Sequence, residues 1–329
     1  MQTDQKAFRI GVLMLISAVL LRLFSGVLET AAQALPQTEI AQCLLFLQTG
    51  RFVEADVLEF SPAPPTETTE TTIPTDAPPP AAVFSHEDAS LVEFRNTTEL
   101  TLDAGALLTA PLDWELAGDA PTVLILHTHG TESYNDSAGY RSTDEAQNML
   151  SVGDRLATRL EEAGIHVLHD RTLHDKISYN GSYTLARQTI EQYLAQYPSI
   201  RMVLDLHRDA AEDAAGNQIN YTVTAPAGEA AKLMLVMGTD AGGFDHPAWQ
   251  ENMALAVKLQ ASLEKILPGI CRPIYVRTSR FNQDLSPGAL LIEVGAAGNS
   301  RPEAMVSTDI LAQAIISLAH GANIPPSGN

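Results

Sequence analysis

Three apolar runs in this chain end in side chains that can hold a metal or carry a proton. VLILHTHG ends in His127 and His129, MVLDLHRDA contains His207, and LLIEVG contains Glu293. A catalytic zinc takes three protein ligands drawn from His and carboxylate and keeps a fourth position for water. The bound water's pKa falls towards about 7, and a nearby carboxylate can take its proton as it attacks a carbonyl. Glu293 suits the proton carrier and the histidines suit the ligands, so a third ligand is needed. Asp144 and Glu145, in RSTDEAQNM, stand near the start of the helix expected after the first run, and Glu132 follows the histidines in HGTESY. By residue type alone, Asp144 and Glu145 serve equally well as acids complementing a helix N-terminus. His127 and His129 are two apart on a strand and point to the same side. His129, nearer the loop, reaches past the strand edge more easily, with His127 as alternative ligand or supporting partner.

Other polar residues have more than one use. Arg208 and Asp209 follow His207, where they can orient an imidazole, bind a substrate carboxylate or form a loop ion pair. FNQDLSPG, residues 281–288, reads as a pocket loop in which Asn282, Gln283 and Asp284 meet substrate, or as a turn. His166, His169 and His174 fit surface or structural roles. Cys43 and Cys271 lie on opposite sides of a long linker and form no CxxC pair, so a bound metal would rest on His and carboxylates.

The elements that must position these residues alternate. Strands are expected at TVLILH, IHVLHD, IRMVLDLH, AAKLMLVMG and GALLIEVG, and LVEFRNTTELTL reads as one or two more. Helices are expected at TDEAQNMLSVGDRLATRLEEAG, closed by Gly164, at SYTLARQTIEQYLAQYP, at AWQENMALAVKLQASLEKILPG and at VSTDILAQAIISLAHG. Such alternation predicts an α/β fold with a largely parallel central sheet flanked by helices on both faces. Ligands of open α/β sheets bind beyond the carboxyl ends of the strands, which would gather His129, His207 and Glu293 at one edge.

The chain has 329 residues, 45% of them hydrophobic, and 40 acidic against 20 basic side chains give a net charge of −20. That charge repels phosphate backbones, so nucleic acid is not expected as a partner. Residues 1–9 carry Lys6 and Arg9 ahead of an apolar run at 10–28, which at about 1.5 Å per residue nearly crosses a bilayer core of roughly 30 Å. The basic flank predicts a cytoplasmic N-terminus, a single-pass transmembrane anchor and an extracytoplasmic body. Arg22 can snorkel to the interface, and AQA at 32–34 offers a cleavable signal peptide as the other reading. Residues 29–59 read as a membrane-proximal segment and 60–84 as an acidic Pro/Thr-rich linker that spaces a domain from a membrane. Residues 85–120 hold the N-terminal strands and 121–329 the catalytic domain.

HTHGTESY, LEEAGIHVLHDRTLHD, SYNGSY, DLHRDA and FNQDLSPGALLIEVG together resemble the sporulation stage II protein P family of endospore-forming bacteria, from about residue 90 to the C-terminus. That family is similar to the zinc-dependent N-acetylmuramoyl-L-alanine amidases, which implies a zinc-exopeptidase-like fold. Carried over by position, the resemblance implies zinc held by His129, Glu145 and His207, with Glu293 as the catalytic carboxylate. It implies removal of stem peptides from the septal wall during engulfment, a second, endopeptidase activity on cross-links, and peptidoglycan as the substrate. It also implies assembly with a lytic transglycosylase of the SpoIID type and a membrane protein of the SpoIIM type. Two other readings are an HxH metallohydrolase with His127 and His129 both on metal, and a wall-binding scaffold without catalysis.

Overall fold

The structure, a computed structural model, describes residues 81–112 and 115–321. The expected anchor, the membrane-proximal segment, Cys43 and all but the end of the linker lie outside the described residues. No helix among the described residues is long and apolar enough to cross a membrane.

The strands are β1 (Phe94–Asn96), β2 (Val123–Leu126), β3 (Val167–His169), β4 (Met202–Asp209), β5 (Thr222–Ala225), β6 (Gly228–Ala231), β7 (Leu233–Gly238), β8 (Ile274–Arg277) and β9 (Ala289–Ala296). The helices are α1 (Ala104–Thr109), α2 (Met149–Glu162), α3 (Ser182–Gln196), α4 (Trp249–Ile266) and α5 (Arg301–Gly321). Seven strands form one sheet in the order β1-β8-β7-β9-β4-β2-β3, and β5 and β6 form a separate hairpin. Neighbours are parallel everywhere except between β7 and β9. The fold is thus α/β with a mostly parallel sheet, as expected, but its polarity reverses at one internal joint.

β2, β4, β7 and β9 are buried along almost their whole length, as their unbroken apolar runs require. Alternate residues of the strands feed opposite cores. Val123, Ile125, Leu204, Leu206, Leu290 and Ile292 face a large core shared with α2, α4 and α5. Leu124, Leu126, Val203 and Ala289 face a smaller one built on Ala186, Ile190 and Tyr193 of α3. Helices therefore cover both faces unequally.

Two elements differ from expectation, and of the one or two strands expected in a third segment one forms. AAKLMLVMG is not one strand: the chain breaks at Lys232, and β6 pairs with β5 while β7 enters the main sheet. In LVEFRNTTELTL only β1 forms, because Asn96 turns the chain by accepting from the Thr98 N–H at 2.9 Å. α2 begins at Met149 rather than near Thr143, because the Asn148 side chain accepts from the Leu150 N–H at 3.0 Å and caps the helix there.

Candidate active site

His129 lies just beyond β2, in a turn closed by the Glu132 N–H donating to the His129 carbonyl at 3.0 Å. That turn folds Glu132 back over the end of β4. Asp175 pins it by accepting from the Thr131 N–H at 3.1 Å and from Thr131 Oγ1 at 2.7 Å. β4 delivers His207, and the parallel register of β4 with β9 sets Glu293 directly beside it. The His129 and His207 rings stand nearly perpendicular, 5.3 Å between centroids, and Glu132 Oε2 lies 3.6 Å from His207 Nδ1. The four side chains come from three separate stretches of the chain, the turn after β2, β4 and β9, and meet at one end of the sheet.

His207, His129 and Glu132 are each held from behind. His207 Nε2 lies 2.9 Å from Asp205 Oδ1, an ion-pair contact off the hydrogen-bond line, so its Nδ1 is the nitrogen that faces Glu132. Asp205 also accepts from the Thr128 N–H at 2.8 Å and Thr128 Oγ1 at 2.6 Å. His129 Nδ1 meets Ser182 Oγ at 3.3 Å, with Asp175 3.9 Å away. Glu132 accepts from the Arg208 N–H at 3.2 Å and has the Arg208 guanidinium 3.6 Å from its other oxygen. Arg208 itself is fixed by donating to the carbonyls of Ser133 and Tyr140. Asp205 and His207, two apart on a strand, share a face; that spacing was the one sequence signal for Asp205, which the sequence reading missed along with Ser182 and Asp175.

The charges follow from this packing. Burial works against the charged forms of Glu132, Asp205 and His207, but mutual attraction outweighs it: both carboxyls are held below the usual range, and Asp205 raises His207 well above an ordinary histidine. Glu293 goes the other way. Burial, reinforced by Glu132 and Asp209, pushes it up to about 8 despite His207 beside it. Its Oε2 is buried with no hydrogen-bond partner. A buried carboxyl so placed costs free energy, which marks it as a group kept for proton transfer.

Among the described residues no group of three or more His, Cys, Asp or Glu side chains stands close enough together to hold a metal ion. One pair of the set, Glu132 and His207, has the spacing that zinc needs. Two ligands sharing a tetrahedral zinc at about 2.0–2.2 Å are separated by about 3.4 Å, close to the Glu132–His207 distance of 3.6 Å. Each histidine has its other ring nitrogen turned to an oxygen group, the usual arrangement behind metal-binding imidazoles.

Glu145 is not part of this cluster. It precedes the helix instead of opening it, and its half-exposed carboxylate pairs with Arg171 Nη2. Asp144 closes a turn by accepting from the Ala146 N–H at 3.1 Å. His127 is fully buried with both ring nitrogens engaged, Nδ1 on the Leu206 carbonyl at 3.1 Å and Nε2 on His169 Nε2 at 2.8 Å. Burial, with His169 beside it, lowers His127 to about 3. His169 reaches on to Asp154, His174 ties the His127 carbonyl to Thr189, and His166 sits at the surface with Glu161. Asp209 pairs with Arg272 at 2.7 Å. In the 281–288 loop, Gln283 spends its amide on Gly238 and Val236, Asp284 pairs with Arg187 and Arg280, and Asn282 donates to the Tyr183 carbonyl at 2.9 Å. Gln283 and Asp284 thus fasten the loop, and their side chains do not face a ligand. Tyr179, stacked on His129 at 4.0 Å, and Tyr183 complete the surroundings of the site.

Residues 48–316 match the family model for stage II sporulation protein P. A curated relative, stage II sporulation protein P of Bacillus subtilis (strain 168), is 30% identical over 250 residues, covering 71% of this chain and 59% of the relative. This chain thus spans little more than half of that protein's length. Among solved structures, it is similar to the N-acetylmuramoyl-L-alanine amidase AmiC2 of Nostoc punctiforme, at 14% identity over 62% of this chain and 97% of that one, with a TM-score of 0.37. The amidase Ami1 from Mycobacterium smegmatis gives 13% identity, 62% and 98% coverage, and a TM-score of 0.38.

Proposed function

This chain belongs to the stage II sporulation protein P family, and we propose that it is a membrane-anchored, zinc-dependent peptidoglycan hydrolase of the sporulating cell. The reaction is that of an N-acetylmuramoyl-L-alanine amidase, which cuts the amide between the lactyl group of N-acetylmuramic acid and L-alanine. The observation that carries the reading is Glu293, a buried carboxyl with an unpaired oxygen, set in register beside His207, against which Glu132 also stands. His129, Glu132 and His207 would hold the metal; Glu132 replaces Glu145 in that role. Bound zinc lowers the pKa of water and polarises a carbonyl. Glu293 takes the proton from the attacking water and returns it to the leaving amine, a two-way role for which a pKa near neutrality is suited. Asp205 fixes the ring of His207, and Arg208 holds Glu132 in its ionised form. The exported location, the anchor at 10–28, cross-link endopeptidase activity and an engulfment complex with a lytic transglycosylase and a membrane protein belong to the same proposal, supported by family membership and by the apolar N-terminal run.

His207→Ala in the full-length chain tests the reading. It is expected to abolish release of muropeptides from purified sacculi while the thermal transition remains cooperative. Release at the wild-type rate would overturn the assignment.

A further inference from the structure

Tyr183 packs against both histidines of the site, as the third corner of a triangle of rings, and is held there from two directions. Its ring lies edge-on to His129 at 5.6 Å and stacks along His207 at 6.5 Å, with 16° between the planes. It occupies the first turn of α3, next to Ser182, which contacts His129 Nδ1. On the far side Phe281 packs against it at 6.1 Å, and Asn282 Nδ2 donates to its backbone carbonyl. Phe281 and Asn282 have φ of 53° and 57°, consecutive left-handed residues of which neither is glycine. Glycine would adopt that corner freely, so the side chains must repay the strain: Asn282 does so on the Tyr183 carbonyl, and Phe281 on the Tyr183 ring and on the cluster of Met234, Val236 and Leu291. The corner is rigid: Gln283 is bonded to β7 through both ends of its amide, and Asn252 of α4 donates to the Gln283 carbonyl at 2.9 Å. All this fixes a phenol whose hydroxyl makes no hydrogen bond to any other described residue, although the ring is largely enclosed. A phenol hydroxyl that no other side chain occupies is free to donate to a ligand.

We propose that Tyr183 is a further catalytic residue, whose hydroxyl donates a hydrogen bond to the oxygen of the scissile amide carbonyl as that oxygen gains negative charge. The inference rests on the amide-hydrolase reading of the site. No proton changes hands at Tyr183: the phenol keeps its hydrogen, and Glu293 performs the transfers. A fixed donor aimed at developing charge acts on the transition state more than on the bound substrate.

The test compares full-length wild-type protein with Tyr183→Phe on a soluble muramoyl-peptide, with unfolding temperature as the check on folding. Loss of one such donor is expected to lower kcat by about 10²–10³-fold, with KM within about threefold and an unchanged unfolding temperature. Binding of the same muramoyl-peptide to Glu293→Gln and to Glu293→Gln/Tyr183→Phe should be equal. A kcat within about threefold of wild type overturns the inference, and so does a loss confined to KM and binding, which marks a stacking platform instead. A wild-type chain with no hydrolase activity sinks the amidase reading and this inference together, whereas an active wild type matched by Tyr183→Phe sinks the inference alone.

Discussion

At the scale of single residues, the choice between two glutamates shows what local sequence can and cannot convey. Glu145 matched the expected position of a helix-borne ligand, but a capping asparagine three residues later starts the helix, and Arg171 takes the carboxylate. Glu132, the other candidate for the third ligand, is carried to His207 by the turn back to the His129 carbonyl. Spacing along a chain cannot distinguish the two, because the answer depends on which side chain wins the cap. Glu132→Ala is accordingly expected to abolish both zinc retention after dialysis and sacculus hydrolysis, while Glu145→Ala keeps both within about twofold, the loss of one exposed ion pair being worth about 1 kcal/mol or less. Metal content by elemental analysis, measured beside activity, decides the matter. His129 was legible because it comes soon after a buried strand, and His207 and Glu293 because they are polar residues in the second halves of two such strands, positions with few degrees of freedom.

At the scale of elements, the first α/β unit depends on a missing side chain. Gly153 lies in the middle of α2, where alanine ordinarily gains roughly 0.5–1 kcal/mol over glycine. Here an added Cβ would come within 2.6 Å of His127 Nε2 and closer still to His169 Nε2, which hold each other by a hydrogen bond. The clash outweighs the propensity, so Gly153→Ala is expected to lower the melting temperature, by about 2–4 °C for each kcal/mol lost in a domain of this size. Calorimetry checks the sign, since a simple helix effect would raise it. The helix itself was readable from Met149, Val152, Leu156 and Leu160 on one buried face. Its glycine was not, because the reason for it lies on two other strands. β8 and the β5–β6 hairpin went unread for another cause: their four-residue strands mix apolar with polar or small residues, and none is the unbroken apolar run that made the equally short β2 legible.

At the scale of the whole molecule, the large core holds one charge it does not need for chemistry. Lys258 on α4 is buried, donates to the Leu108 carbonyl at the end of α1 and lies 5.6 Å from the Phe84 ring. Burial lowers its pKa from 10.5 to about 8. Below about 8 both folded and unfolded chains carry the proton and the full penalty for burying the charge applies. Between about 8 and 10.5 the folded chain gives up its proton first, so this penalty shrinks as pH rises, and above 10.5 it is gone. Lys258→Met is therefore expected to raise the melting temperature at pH 7 and to lose most of that advantage by pH 10, as read from thermal unfolding of both chains across that range. The α/β class and the mostly parallel sheet were evident from alternation, but the antiparallel joint between β7 and β9 was not, because strand direction is set by connections and not by composition. That joint gives β9 neighbours on both sides, His207 of β4 across one edge and Met234 of β7 across the other, so Glu293 occupies the middle of the sheet. A carboxyl bolted there cannot swing, fray or detach while the domain stays folded, so any local opening of the site falls to the turn that carries His129 and Glu132.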